Sequence, residues 1–390
     1  MRRGASMGGS MTGKERVMAT FEGRPADRVP IYCAGLSGRI ASHVLGREAF
    51  VGHGMQRYRE SVARWHGEAA LQEFEERTRA DVLEVSERLD LDLVRPMYWR
   101  YPHEPIARID EHTFKFGDED GPWWVMRFDP ETELYQEVDR SARPEPTIDD
   151  IEARVEQVEA AVEGYSPTPQ SFPDLLAAVE YYGDRRAVPG FGIGVAVPRE
   201  RHWLEAMALR PDLVRRYLVA CARRNAKNPP VMARMGLRVI LGGGDFAGKH
   251  GPLYSPKSFH DCMLPALQTI SEACHRHDCW HFFASDGDLW PVAEDLFGSS
   301  GVDGFYEIDR RAGMDLHRLR DEYPHLRLMG GIASETLHRG TVEDVVAETR
   351  SALEVARERG RIVVGISNQV VPSTPLENFE AMMETLHSQP

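Results

Sequence analysis

What the 390-residue chain lacks narrows its class before any motif is read. Its five cysteines (Cys33, Cys221, Cys262, Cys274 and Cys279) are odd in number and never form a CxxC pair. That sets aside a disulfide framework and, with no signal peptide in view, points to a reduced, cytoplasmic protein. No apolar run approaches the roughly 20 residues needed to cross a bilayer, so no membrane partner is expected. No stretch is both basic and aromatic, and 61 Asp and Glu against 47 Lys and Arg leave a net charge of -14. A nucleic-acid partner, which needs clustered cations against phosphate, is therefore not expected. Arg215, Arg216, Arg223 and Arg224 sit among acids along a helical pattern, as on a solvated face. The chain also has no P-loop, no GxSxG elbow and no HExxH, and Gly190–Gly194 lacks the remaining glycine of a dinucleotide fingerprint.

What is present is a long alternation of strand and helix patterns. Strand-like segments fall at Val29–Cys33, Leu91–Arg95, Val188–Val197, Arg238–Leu241, Trp280–Ala284, Gly304–Ile308, Leu326–Gly331 and Arg361–Ile366. Between the later ones lie amphipathic stretches at Pro256–His277, Leu289–Ser299, Met314–Tyr323, Thr341–Arg359 and Pro375–Leu386. This alternation, close and regular over the last five strands, predicts an α/β fold of the (β/α)8 TIM barrel type. One segment breaks the pattern: Ile106–Val138 alternates with period two between Asp/Gly turns, as a small antiparallel β-meander inserted in the first half. Trp123 and Trp124 are expected to pack that meander onto the barrel. Residues 1–11 read as a disordered start, and 12–390 as a single barrel domain carrying the insertion.

The most informative stretch is Gly242–Pro256. An apolar run ends in three glycines that carry Asp245, followed by Lys249 and a helix start at Ser255–Pro256. Glycine permits close backbone approach, and a carboxylate at a strand's C-terminal end lies where barrel active sites form. Ser285–Asp288 closes the next strand with two acids around a glycine; one of them, Asp288, suits a helix cap, which leaves Asp286 as the functional candidate. Tyr306, Glu307 and Asp309 end another strand, Ser367, Asn368 and Gln369 the last, and Tyr32 and Arg39 lie near the first. Acids predominate at this mouth with few cations, which favours a metal ion or cationic ligand over a polyanion. The Cys274–His281 tract spans a helix end and a strand start at the opposite face, where a structural role is expected rather than a metal site.

With these residues assembled, the sequence resembles the uroporphyrinogen decarboxylase superfamily, which includes the corrinoid-dependent methyltransferases, over nearly everything from Thr12 onward. The resemblance is strongest in Gly242–Ser255, Gly301–Gly304 with Ala312–Leu316, Met329–Ile332 and Pro372–Asn378. It implies a uroporphyrinogen decarboxylase-like barrel with its active site at the C-terminal mouth, and the meander looks more like the methyltransferase-like branch. Of the two N-terminal arginines of the decarboxylases, only the second is kept, as Arg39, with Gly35 at the first. Their C-terminal histidine is replaced by Asn368, and Asp92 matches their aspartate after the second strand. The thiol-methylating branch's zinc ligands correspond to Ala284, Asp286 and Ser367, so no thiolate zinc site is expected. A divalent metal, zinc or another, held by Asp245, Asp286 and Glu307 is the expectation that remains.

The expected function is methyl transfer from a small methylated compound to a corrinoid protein or another acceptor. Asp245, Asp286 and Asn368 are the catalytic candidates, with Tyr32, Arg39, Asp92, Lys249, Tyr306 and Ser367 binding substrate. Corrinoid would come only with its partner protein, and the reading leaves room for a homodimer. Two alternatives stand beside it: a cofactor-free decarboxylase of a carboxylated tetrapyrrole or smaller acid, and a barrel that binds a ligand without catalysis.

Overall fold

The computed structural model describes residues 10–96 and 99–389. Of the expected disordered start, residues 1–9 lie outside the described residues. Met11 is held in place, its N–H donating to Asp27 at 3.1 Å and its carbonyl accepting from Arg16. In chain order, strand β1 (Ile31–Tyr32) is followed by β2 (Pro105–Arg108), β3 (Thr113–Gly117), β4 (Trp123–Asp129) and β5 (Leu134–Arg140). Then come β6 (Val239–Leu241), the short pair β7 (Ala247–Gly248) and β8 (Gly251–Pro252), β9 (Trp280–Ala284), β10 (Gly304–Tyr306), β11 (Arg327–Ile332) and β12 (Ile362–Ile366). Six of them form a curled parallel sheet in the order β1-β12-β11-β10-β9-β6. Every residue of β6, β9, β10 and β12 is buried, as expected of a parallel sheet covered on both faces.

The remaining two expected strands are not ladders. Leu93 alone bridges Tyr32 on one side and Ala187 on the other, and Gly190 alone bridges Ile240 of β6. The chemistry of the second segment explains this: Pro189 removes a donor, and Gly190, Gly192 and Gly194 weaken a strand that the apolar residues between them suggest. Of the predicted (β/α)8 architecture the structure has a curled six-stranded parallel sheet, and where the two further strands are expected between β1 and β6 it has single-residue bridges. Among the helices, Val342–Arg359 starts with a capping box between Thr341 and Asp344. Pro256–His275 contains a π-helical turn at Phe259–Met263. The expected helix at Leu289–Ser299 is instead a 3-10 turn at Trp290–Val292 and a π-helical stretch at Glu294–Ser299.

Helix Gly13–Glu22 covers the N-terminal end of the sheet. Its Phe21 is fully buried, with its ring 5.9 Å from Trp280 and 5.1 Å from Phe282. The same end holds Asp92, which is completely buried. One carboxylate oxygen accepts from Arg16 and from Arg28 at 3.0 Å; the other accepts from Arg28 at 2.6 Å and from the Ile31 N–H at 2.9 Å. Asp92 therefore joins the helix to β1 beside the single-residue bridges, and its oxygens are taken up there rather than offered to substrate.

The meander is a four-stranded antiparallel sheet, β2-β3-β4-β5. It has its own apolar cluster: Phe114, Phe116, Met126, Phe128 and Tyr135 gather with Tyr58 of helix His53–His66, whose ring stacks on Phe128 at 4.3 Å. Trp124 packs inside this cluster, stacked on Phe116 and donating to the Tyr101 hydroxyl at 2.6 Å, while Trp123 lies under the Lys115 ammonium. Neither tryptophan docks the meander on the parallel sheet. That connection runs through Glu133 in the β4–β5 turn. Its carboxylate accepts the Gly38 and Arg39 N–H groups at 2.6 and 2.7 Å, at the start of helix Gly38–Leu45.

Replacing Asp92 by Ala leaves the part-buried Arg28 without its carboxylate and the buried Arg16 with only Asp27, at 2.5 and 2.9 Å, and breaking a buried pair of this kind costs about 3–5 kcal/mol. Urea denaturation of the variant at neutral pH should show a loss of that order; a midpoint within error of the wild type would mean that this network is dispensable.

Candidate active site

The C-terminal ends of the parallel strands open on a cavity of about 300 Å³. It is lined by the Gly242–Asp245 turn, Gly194, Ala284, Tyr306, Glu307 and Arg95. Tyr306 is buried and its hydroxyl donates to the Gly242 carbonyl at 2.6 Å, so the end of β10 is fastened to the turn after β6. Close packing accounts for the adjacent glycines. A Cβ at Gly243, where φ is +147°, would lie 2.6 Å from the Ala284 carbonyl oxygen, and one at Gly244 only 2.4 Å from the Ala196 Cβ. The turn therefore needs glycine to let backbones meet, independently of any ligand.

Two carboxylates, Asp245 and Glu307, line this mouth, and a third, Asp286, adjoins Asp245, each in a different electrostatic setting. Asp245 is partly exposed, with the Arg199 guanidinium 3.9 Å away and the Asp286 N–H donating to it at 3.4 Å. Asp286 is more enclosed, and the Asn368 amide NH2 lies 3.2 Å from each of its oxygens. The amide's own oxygen accepts the Gln369 N–H at 2.8 Å, which fixes the orientation that turns NH2 toward Asp286. Burial, reinforced by the charges of Asp245 and Asp309, pushes the Asp286 carboxyl above the ordinary aspartate range, and Asn368 only partly opposes this. Glu307 is a non-glycine residue at φ +62°, a backbone state worth attention at a strand end. It pairs with Arg95 at 3.2 Å. Burial nevertheless raises its pKa; Arg95 opposes, while Asp286 and Asp245 add to the rise.

Arg95 is the residue that the mouth's acid count overlooked. Its guanidinium carbon lies 5.3 Å from the Tyr306 ring centre and 5.8 Å from that of Phe191. Its Nε is buried without a partner among the described residues, as is the Tyr32 hydroxyl. Burial drives the Tyr32 hydroxyl far above its usual pKa, and Arg95, Glu307 and Tyr306 are the charged and polar groups around it. Its position at the end of the expected strand Leu91–Arg95 was the available signal. The mouth is therefore less one-sided in charge than a tally of strand-end acids implies.

The structure gathers Tyr32, Asp245, Asp286, Tyr306, Glu307 and Asn368, and leaves other candidates elsewhere. Arg39 is exposed and its guanidinium reaches only the Pro372 carbonyl, at 3.5 Å. Lys249 is exposed at the tip of the β7–β8 hairpin. Ser367 is buried, its hydroxyl accepting the Gly331 N–H at 3.1 Å. Asp92 is at the opposite end of the sheet. Asp288 accepts the Trp290 N–H at 3.0 Å, and Asp309 accepts those of Gly287, Arg311 and Ala312, so both organise loops.

Residues 199–389 match the family described as Uroporphyrinogen decarboxylase (URO-D). This part of the chain belongs to the uroporphyrinogen decarboxylase superfamily. A methyltransferase from Methanosarcina mazei has the same fold, with TM-score 0.61 at 20% identity, over 97% of this chain and 98% of that one. A sugar phosphate isomerase/epimerase from Parabacteroides distasonis aligns at TM-score 0.35 and 8% identity, over 81% of this chain and 88% of that one, too distant to bear on either fold or function. No curated protein matches this sequence. Among the described residues, no helix is long and apolar enough to cross a membrane.

For a member of this superfamily a metal is the natural question, and the residues present do not fit one. Among the described residues no three His, Cys, Asp or Glu side chains converge as a ligand set. Glu307 is engaged by Arg95, and Asp286 faces an amide NH2, a donor where a cation would need open oxygen lone pairs. In the Cys274–His281 tract both cysteines are buried, His281 is bonded through Nδ1 to the Ser271 hydroxyl at 2.8 Å, and burial lowers its pKa to about 3. His275 pairs with Asp303 at 2.9 Å.

The raised Asp286 pKa carries a stability consequence of definite sign. A carboxyl whose folded-state pKa lies above its unfolded value favours the fold below the unfolded pKa, and that contribution is lost as pH rises through the folded value. Asp286→Asn should therefore be more stable than the wild type at neutral pH, with the gap narrowing in acid. Urea denaturation at both conditions checks this; a variant less stable at neutral pH would show that the Asn368 contact outweighs desolvation.

Proposed function

We propose that the chain is a methyltransferase of this superfamily, taking a methyl group from an oxygen or nitrogen of a small methylated compound. The observation that supports it is the enclosed Asp286 carboxyl, oriented by Asn368 and biased toward its protonated form at the mouth. When the bond from methyl carbon to oxygen or nitrogen breaks, its electron pair stays on the departing atom, which needs a proton. Asp286 donates that proton and is left as a carboxylate, to be reprotonated from solvent. The acceptor's electron pair forms the new bond to the methyl carbon. A corrinoid carried by a partner protein would supply this nucleophile. Burial raises the Asp286 pKa most, and Asp245, partly exposed and near Arg199, adds to the rise through its own negative charge.

The wild type, a reduced corrinoid protein and a panel of methyl ethers and methylamines test the reading through methyl-corrinoid absorbance. Transfer should fall as pH rises past the elevated Asp286 pKa, and Asp286→Asn should lose about 10²–10⁴-fold in rate, the usual share of a general acid. No transfer from any donor by the folded protein would sink the proposal. Decarboxylation retains one asset, Arg95, as a cation for a substrate carboxylate, although Glu307 already pairs with it. Carbon dioxide release from uroporphyrinogen at an enzymatic rate would put that reading first.

A further inference from the structure

Beside the mouth lies a larger cavity, of about 410 Å³, and Arg95 lines both. Its other walls include the aromatic rings of Trp99, Phe172 and Phe191 together with Leu175, and Asp174 is its acid. The rings are held in place. Trp99 meets His53 edge-on at 4.4 Å, and its backbone N–H donates to Gln56 at 3.2 Å. Gln56 is itself buried and bonded to Thr78 at 2.7 Å. Phe172 and Phe191 pack against the main core.

Among the described residues, the charges in this chamber are matched. Arg95 is paired with Glu307 at 3.2 Å, and Asp174 with Arg79 at 3.4 Å. A permanently charged ligand would find no free counter-charge and would lose its hydration. A neutral, flat ligand gains aromatic contact on rings already fixed, which limits the ordering cost. Among the described residues Arg95 makes one side-chain hydrogen bond, to Glu307, and the buried Nε has none. Further N–H donors of this guanidinium are therefore left for an acceptor oxygen where the two cavities meet.

We propose that this chamber binds the body of an uncharged aromatic oxygen compound, an aryl ether or phenol of one or two rings, with Arg95 donating to its oxygen and the reacting end in the mouth beside Asp286. Only the identity of the reacting end rests on the methyl-transfer reading; the chamber's preference is a separate property. Titration calorimetry of the full chain with guaiacol, methoxyethanol and anisate tests it. Guaiacol should bind saturably, at least about tenfold more tightly than the aliphatic ether or the anion, and Phe191→Ala should weaken it by about fivefold to tenfold. Should that variant fail to fold, Phe191→Leu keeps an apolar side chain and removes only the ring, with a smaller loss expected. Equal affinity for guaiacol and methoxyethanol, tighter binding of anisate, or no effect of removing the ring would overturn the proposal. Guaiacol binding without methyl transfer would leave the chamber standing and count against the methyltransferase reading instead.

Discussion

The carboxylate of Asp92 is the constraint on which the parallel sheet depends. Between β1 and β6 the described residues form no ladder, only the bridges Tyr32–Leu93, Leu93–Ala187 and Gly190–Ile240. Three single-residue contacts are weak lateral support for a sheet whose other strands share regular registers. Asp92 compensates at the N-terminal end, binding the backbone of β1 and two arginines at once. A buried charge of this kind adds little as an isolated pair and a great deal as a specifier, because every alternative packing leaves an ion unmatched in the interior. Helix Gly13–Glu22, anchored by Arg16 and capped on the sheet by Phe21, is held in the same way.

At the other end of the sheet, order comes from neutral and charged donors together. Asn368 and Arg95 each contact one acid, and between them they separate Asp286 from Glu307 chemically. One carboxyl faces an amide and is pushed toward its neutral form; the other faces a cation yet is also lifted by burial. Both carboxyls are raised by burial, so the two acids differ in their neighbours and not in the direction of their shift.

Much of this was legible in the sequence. β6, β9, β10, β11 and β12 fall where apolar runs end in polar residues, so Asp245, Asp286, Tyr306, Glu307 and Asn368 were found from strand ends alone. Val188–Val197 misled because its valines outweighed Pro189 and three glycines that prevent a ladder. Asp92 was misread because its partners, Arg16 and Arg28, lie 76 and 64 residues away, and no local pattern reveals a buried ion pair of that span. Arg95 was missed because acids were counted at the mouth while the cation at the end of the expected strand Leu91–Arg95 was not. The glycines after β6 were found but misassigned: the spaces above them are filled by Ala196 and Ala284, not by open approach.

The hook made by Glu133 has a bearing on how this chain could have acquired its meander. A β-sheet with its own apolar cluster resembles a detachable ornament, and its hydrophobic contacts alone suggest as much. Yet the turn between β4 and β5 furnishes the negative charge for the first N–H groups of helix Gly38–Leu45, beside the Ser37 cap. Once a host element delegates its terminal electrostatics to an insertion, the insertion can no longer be lost in one step. The dependence runs from scaffold to ornament: without the meander the helix would keep its Ser37 cap but lose the carboxylate that takes up the Gly38 and Arg39 N–H groups.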